Sequence, residues 1–407
     1  MRLWTFAARN IARNRRRTLL TLGVVVFGFS AIALAGGFMA QSLDGLAEST
    51  IRSGMGHLQI APPGGFEDHG LEPGAGLEGS DRIAETLRRE PGVAEVLPRL
   101  EFTGLLSDGR RSVPFLGLGV DPAPEAKWME TPGALEAGRW LESRDERAIV
   151  LGVGLARTLG AKGGDGLTLL STGADGTLNA MDAVVTGIVH LPIKELDDRW
   201  LATSLGLADE LVGASGRVTR LVVVLEKRRG AEAVASRLES RLRAAGFAVE
   251  ARPWEALAPF YRQVRLLYLG IFGFMGIVLV VVVLLATANT MMMAATERTR
   301  EIGTLRALGT RPSLVRGLFL REGVLLAIAG SVLGALLSLL VRVILNHSGL
   351  MLPPPPGATR AMPLHVQAYF VAYAAGAIAM LVTLTLAAWL PARRASRIPI
   401  VEALTHV

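Results

Sequence analysis

The sequence predicts an α-helical membrane protein with four transmembrane helices and a large extracytoplasmic α+β domain between helices 1 and 2. Three observations predict it. Four apolar runs, at residues 18–43, 266–296, 323–341 and 363–390, are each long enough to cross a hydrocarbon core of roughly 30 Å. The short segments beside them are rich in arginine. Residues 44–265, between the first two runs, have the mixed polar composition of an ordinary globular domain.

The charge distribution sets the orientation. Fifteen of the 43 basic residues lie in segments 1–17, 297–322 and 393–407, which hold only four of the 36 acidic ones. The rest of the chain is therefore net acidic, although the total charge is +7. Basic charge crowded against apolar spans marks cytoplasmic flanks, so both termini are expected in the cytoplasm. A nucleic-acid-binding patch on the large domain is disfavoured. Half of the residues are apolar and the mean hydropathy is +0.39, high for a soluble protein. With no cysteine, the chain has no disulfide, no thiolate metal site and no acylation cysteine.

In chain order, residues 1–17 carry Trp4, Phe6, Ile11 and Arg15-Arg16-Arg17, the composition of an amphipathic helix at the inner interface. Thr18 to Leu43 is uncharged. A cleaved signal peptide competes with a retained anchor here. The apolar part exceeds a usual signal core, which favours the anchor. In 44–265, the segments 56–60, 93–97, 218–225 and 247–251 read as strands, and Ser80 to Glu90 and Ala231 to Ala245 as helices. These form two strand-helix-strand units, a split ferredoxin-like layer. Between them, 148–151, 167–171 and 183–189 read as strands of an inserted subdomain, with a turn at Gly173-Ala174-Asp175-Gly176.

Residues 266–296 form the second span, with Tyr261 and Tyr268 suited to an outer aromatic belt. In the third span, 323–341, Ala327, Gly330 and Gly334 offer a small-residue stripe for close helix packing. The outer loop, 342–362, contains four consecutive prolines at 353–356, a stiff spacer or a lip at an outer cavity. The fourth span, 363–390, leads into a tail at 391–407.

Segment 297–322 organises the rest. It carries six arginines, and Ile302, Leu305, Ala307 and Leu308 fall near one helix face. Gly309 supplies a stop, and Pro312 suits the first turn of a new helix. The reading is a short amphipathic helix on the inner face, against the alternative of a solvated loop. Glu297, Arg298, Arg300, Glu301, Ile302, Gly303, Leu305, Arg306, Ala307, Leu308 and Gly309 closely resemble the signature of MacB/FtsX-type ABC-transporter permeases. Pro391-Ala392-Arg393-Arg394-Ala395, then Pro399, Glu402, Ala403 and Leu404, resemble the closing motif of that family.

The resemblance covers the whole chain and implies porter-like halves with an insertion in the outer domain. It implies that Glu297, Arg298, Arg300, Glu301, Ile302, Leu305, Arg306 and Leu308 couple to a separate ABC ATPase, present in two copies and supplying ATP and Mg chemistry. It further implies a second permease subunit, identical or homologous, in a bacterial inner membrane. Gly54, Gly56-His57-Leu58-Gln59-Ile60, Arg13 to Leu20 and the prolines resemble most the lipoprotein-releasing (LolC/LolE-like) branch. Val24, Phe27, Ile32, Phe38, Ile271, Phe274 and Ile277, on the spans the family uses, are candidate lining residues for a cavity taking acyl chains. The expected partners are thus membrane lipid and a lipoprotein cargo or periplasmic carrier. MacB-like mechanotransmission to an export partner, or an FtsX-like scaffold for a cell-wall hydrolase, are the alternatives.

Catalytic constellations are lacking. The chain has no G-x-x-x-x-G-K-[ST] and no H-E-x-x-H, so neither a Walker loop nor a cofactor or metal site is expected. Gly152-Val153-Gly154 with Gly160 reads as turn chemistry, and Glu195, Asp197 and Asp198 as a solvated acidic loop. Asn289, in the inner half of the second span, reads as a packing residue bonded to a neighbouring helix.

Overall fold

The computed structural model describes residues 2–13, 15–67, 76–129, 134–143, 145–191, 194–228, 230–352, 362–399 and 403. The prolines at 353–356, His69, His406, Glu402 and Leu404 lie outside the described residues. The chain divides into two compact units. One comprises Met1–Asp44, Val264–Met351 and Pro363–Val407, and the other Gly45–Gln263 and Leu352–Met362.

The first unit is helical. An N-terminal helix, Arg2–Arg13, precedes a long first helix, Arg15–Thr50. The second helix, Pro259–Glu297, is followed by a short helix, Thr299–Ala307, then a third, Pro312–His347, and a fourth, Phe370–Ala395. Four of these are long and apolar enough to span a membrane. Pro312 opens the third helix already within the arginine-rich segment, since its missing N–H costs nothing in a first turn.

The first, third and fourth helices share a core built on Val25, Phe29, Leu326, Ala327, Met380 and Leu384. A Cβ on Gly330 would lie 2.4 Å from Val25 Cγ1, and one on Gly334 2.9 Å from Phe29 Cβ. Both glycines let the backbones approach, and the Ser30 hydroxyl donates to the Gly334 carbonyl at 2.9 Å. The second helix is different. Its buried residues are Val283, Thr287, Met291, Ala294 and Ala295, all towards its C-terminal end.

Among the described residues the second unit is built on a ten-stranded sheet: β1 Leu58–Ala61, β2 Val93–Ser107, β3 Ser112–Val120, β4 Leu135–Gly138, β5 Ala148–Gly152, β6 Gly166–Thr172, β7 Leu178–Val189, β8 Trp200–Ser204, β9 Arg220–Leu225 and β10 Glu250–Pro253. In one half the order is β10-β1-β9-β2, all antiparallel. Helices Ser80–Arg88 and Ala231–Ala244 bury Ile83, Leu87, Leu238 and Leu242 with Ile60, Val96 and Val223 of that sheet. Ala47 and Ile51 join the same core.

In the other half, the ladder runs from β2 through β3, β8, β5, β7 and β6 and back to β2. Six strands thus close a ring without a free edge. Leu100, Phe102, Leu106, Phe115, Ile149, Leu151 and Leu169 belong to the core of this half, with Phe102 and Phe115 edge-to-face at 5.6 Å.

Three sequence expectations are corrected. The strand placed at 247–251 starts at Glu250, because the Phe247 N–H closes the preceding helix on the Leu242 carbonyl at 3.0 Å. The strand placed at 56–60 begins at Leu58, since Gly56 takes φ +65° against Val222. Asp197 is not solvated: it is buried, and its carboxylate accepts the N–H groups of Gly154 and Leu191, each at 2.9 Å. Gly152 and Gly154 are tied to that loop, where a Cβ on either would strike the backbone or side chain of Asp197 or Asp198. Asp198 pairs with Lys194 at 2.8 Å on the surface.

Candidate functional site

The arginine-rich segment folds as its sequence suggests locally. The helix Thr299–Ala307 ends before Gly309, whose φ of +90° only glycine takes cheaply, and Pro312 starts the next helix. What surrounds this helix is assembled from distant parts of the chain.

Its inner face is anchored on three sides. Ile302 packs among Ala294, Ala295, Val315, Phe319, Ala392 and Ala395, from the second, third and fourth helices. Gly303 lies against the tail, where an added Cβ would come within 2.7 Å of Ala403 Cβ. Arg306 donates from Nη1 to the Ile398 carbonyl. The two motifs singled out in the sequence therefore meet in space.

Beneath the helix is a buried polar cluster. Glu322 Oε1 accepts from Arg298 Nη1 at 3.0 Å and from Asn10 Nδ2 at 2.8 Å. The Arg298 and Glu322 side chains are 9% and 6% exposed. Burying this pair is tolerable only because each charge faces the other and Asn10 satisfies a further lone pair. Around the cluster, Arg17 donates from Nε and Nη2 to the Thr290 carbonyl at 3.0 and 2.6 Å. Arg17 also pairs with Glu297 at 2.9 Å, and Arg13 with Glu301 at 2.5 Å. The N-terminal helix is thereby joined to the segment, and Arg321 lies over the Trp4 ring at 5.7 Å. A cleft of about 240 Å³ opens between this helix, Thr299–Ala307 and the start of the third helix, lined by Phe6, Ile302, Leu305, Leu314 and Phe319.

The eight residues assigned to coupling fall into two groups. Arg298 and Ile302 are buried supports, and Arg306 is half-buried on the tail. Glu297, Arg300, Glu301, Leu305 and Leu308 are exposed, Leu308 at 80%. A leucine that bare at the end of an anchored helix is free to meet a partner. Sequence reasoning missed Asn10, Arg13, Arg17 and Glu322 as members of the cluster. Glu322, an acid at the very start of an apolar run, was the available signal.

The seven residues assigned to a cavity do not come together within the chain. Val24 and Ile32 pack on the helical core, and Phe38 meets Phe272 edge-to-face at 6.1 Å. Phe27, Ile271, Phe274 and Ile277 are exposed, Phe27 and Phe274 at 70% each. Ala327, Gly330 and Gly334 are buried in the third helix. Asn289 is exposed on the second helix rather than bonded to a neighbouring one within the chain, because that helix packs through Val283, Thr287 and Met291 instead.

Comparisons with known proteins match both parts of the chain. A family model described as MacB-like periplasmic core domain matches residues 18–241, and one described as FtsX-like permease C-terminal matches residues 273–400. An uncharacterized ABC transporter permease of Methanocaldococcus jannaschii is 23% identical over 358 residues, 84% of each chain. The lipoprotein-releasing system transmembrane protein LolC of Neisseria meningitidis is 26% identical over 340 residues, 77% of this chain and 79% of LolC. The macrolide export ATP-binding/permease protein MacB of Bordetella avium is 36% identical over 136 residues, 32% of this chain but 18% of MacB. The crystal structure of the periplasmic region of MacB from Actinobacillus actinomycetemcomitans aligns with 52% of this chain and 95% of that one, at 14% identity and a TM-score of 0.36.

Proposed function

The chain belongs to the MacB/FtsX-type ABC-transporter permeases, and from that membership we propose that it is the membrane subunit of an ATP-driven machine that extracts or exports a lipoprotein or similar amphiphile. The observation that carries the coupling part is the anchored helix Thr299–Ala307. Its inner face is fixed by Ile302, Gly303 and Arg306, while Leu305 and Leu308 stay exposed for an ATPase subunit. Two permease subunits and two ATPase subunits would form the working unit, with the chain termini and this helix in the cytoplasm. ATP and Mg chemistry would reside in the ATPase.

The lipoprotein part rests on the length of the match to LolC and on the exposed apolar surface of Phe27, Ile271, Phe274 and Ile277. Each acyl CH₂ withdrawn from the bilayer costs about 0.8 kcal/mol, so extraction calls for an apolar reception surface and an energy source. MacB-like mechanotransmission to a periplasmic partner is the second reading, favoured by the periplasmic core match.

The test is native mass spectrometry with lipid analysis on the detergent-extracted complex with its ATPase. A 2:2 assembly carrying acylated protein is the expected result. A 2:2 assembly without acyl ligand but with a soluble protein bound would replace extraction by mechanotransmission. Failure to bind any ATPase would remove the transporter reading altogether.

A further inference from the structure

The N-terminal helix Arg2–Arg13 is more than a membrane-surface ornament of the first span. Three independent contacts tie it to the helices around the candidate coupling site. Asn10 donates to the buried carboxylate of Glu322, which also holds Arg298 at the junction of the second helix and the coupling helix. Arg13 pairs with Glu301 on the coupling helix itself. Trp4 lies under the Arg321 guanidinium on the third helix. Asn10 is itself buried, and Phe6 and Asn10 supply one wall of the 240 Å³ cleft whose other walls are the coupling helix and the third helix.

The chemistry of Asn10 is specific. A buried carboxylate facing one arginine still needs a donor for its remaining lone pair, and a neutral amide gives one without adding charge. A leucine there would leave the carboxylate short of a partner. An aspartate would put a second negative charge against the first.

We propose that the N-terminal helix is a working part of the ATPase-coupling site, carried with the coupling helix and the start of the third helix as one rigid body, and that Asn10 is the residue that positions it. The inference rests on the ABC-permease reading of that site. A displacement imposed on the coupling helix then reaches the first span through Asn10 and Arg13 as well as the second span through Arg298, so both spans move on one stroke.

The experiment uses the full-length permease reconstituted with its ATPase. Asn10→Asp should cut permease-stimulated ATP turnover about tenfold, the scale of losing a buried charge-assisted hydrogen bond, with the complex still assembled and the KM for ATP unchanged. Combining Asn10→Asp with Glu322→Gln exchanges donor and acceptor while keeping one carboxylate beside Arg298. It should restore turnover to within about threefold.

Because the chain has no cysteine, Trp4→Cys with Arg321→Cys can be bridged by a short bifunctional thiol reagent before the ATPase is added. A rigid body predicts that bridged protein keeps the stimulation of the unbridged double variant. A tenfold loss on bridging, or an Asn10→Asp variant with full stimulation, overturns the proposal. A wild-type protein that stimulates no ATPase overturns the permease reading instead. Amide exchange on the isolated permease still decides the clamp in that case: Asn10→Asp must speed exchange across residues 2–13, and unchanged protection there refutes it.

Discussion

Arg298 and Glu322 form an ion pair of 3.0 Å with both side chains under a tenth exposed, at the point where the second helix hands over to the helix Thr299–Ala307. Removing one member leaves the other buried and uncompensated. Glu322→Ala should therefore destabilise the protein by about 3–5 kcal/mol, read as a fall in thermal unfolding temperature in detergent. Arg298→Met with Glu322→Leu should recover most of that loss. A single alanine variant within about 1 kcal/mol of the wild type would mean that the pair is hydrated in solution.

Ile302 is buried within the helix Thr299–Ala307 and Leu308, just past its end, is 80% exposed, so the two should respond differently to a charge. Leu308→Glu changes an exposed position, so stability should stay within about 0.5 kcal/mol, while ATPase stimulation is lost. Ile302→Glu should unfold the helix from its seat and lower stability by several kcal/mol, on the order of burying an unpaired carboxylate. Full stimulation by Leu308→Glu would move the docking face elsewhere.

Gly330 and Gly334 set how closely the third helix approaches the first. Gly330→Leu forces side-chain atoms where Val25 already stands and should cost about 1–3 kcal/mol. Adding Val25→Ala should return part of it. The same leucine at Gly349, where an added Cβ would meet open space but φ is +64°, tests strain without overpacking. If Gly330→Leu is neutral in thermal unfolding, the helices do not pack as described.

His57 links acidity to the stability of the strand-rich unit. Its Nδ1 accepts the Leu225 N–H at 3.1 Å, which requires a neutral ring, and burial holds its pKa below the ordinary value near 6.5. The unfolded chain therefore binds a proton at a pH where the folded one does not. Stability from this group is fully present above about pH 6.5 and is lost as the pH falls towards the folded pKa, with a slope of at most about 1.4 kcal/mol per pH unit. Thermal unfolding from pH 7.5 to 5 should show the decline, and His57→Gln should flatten it. Equal slopes in the two proteins would assign the decline to other groups.

Much of the fold is legible in the sequence because bilayer thickness imposes long apolar runs and because Gly309 and Pro312 punctuate the chain by backbone chemistry alone. The short strands near 93–97 and 148–151 are visible for a similar local reason. The return of β6 to β2, which closes the six-stranded ring, is not, since Leu105 opposite Leu170 is a pairing that no local period encodes. The same holds for the site. The exposed residues Glu297, Arg300, Glu301, Leu305 and Leu308 lie in one readable motif, whereas Asn10 reaches Glu322 across 312 positions. Asp197 reads as a surface acid because its partners are backbone N–H groups, which leave no mark on composition.

Strand β2 changes partners in mid-course: β9 lies beside it from Val93 to Arg99, and β3 from Arg99 to Ser107. The exchange falls at Pro98, which has no N–H to give the ladder, and at Arg99, whose buried guanidinium grips Glu125 and the Gly54 carbonyl. The strand-rich unit therefore has one spar common to its two halves, with a rung that lacks an N–H and a buried arginine latch at adjacent positions. Bending there gives up a rung already short of one donor but must break the latch, so the Arg99 side chain resists a hinge that the backbone alone would permit.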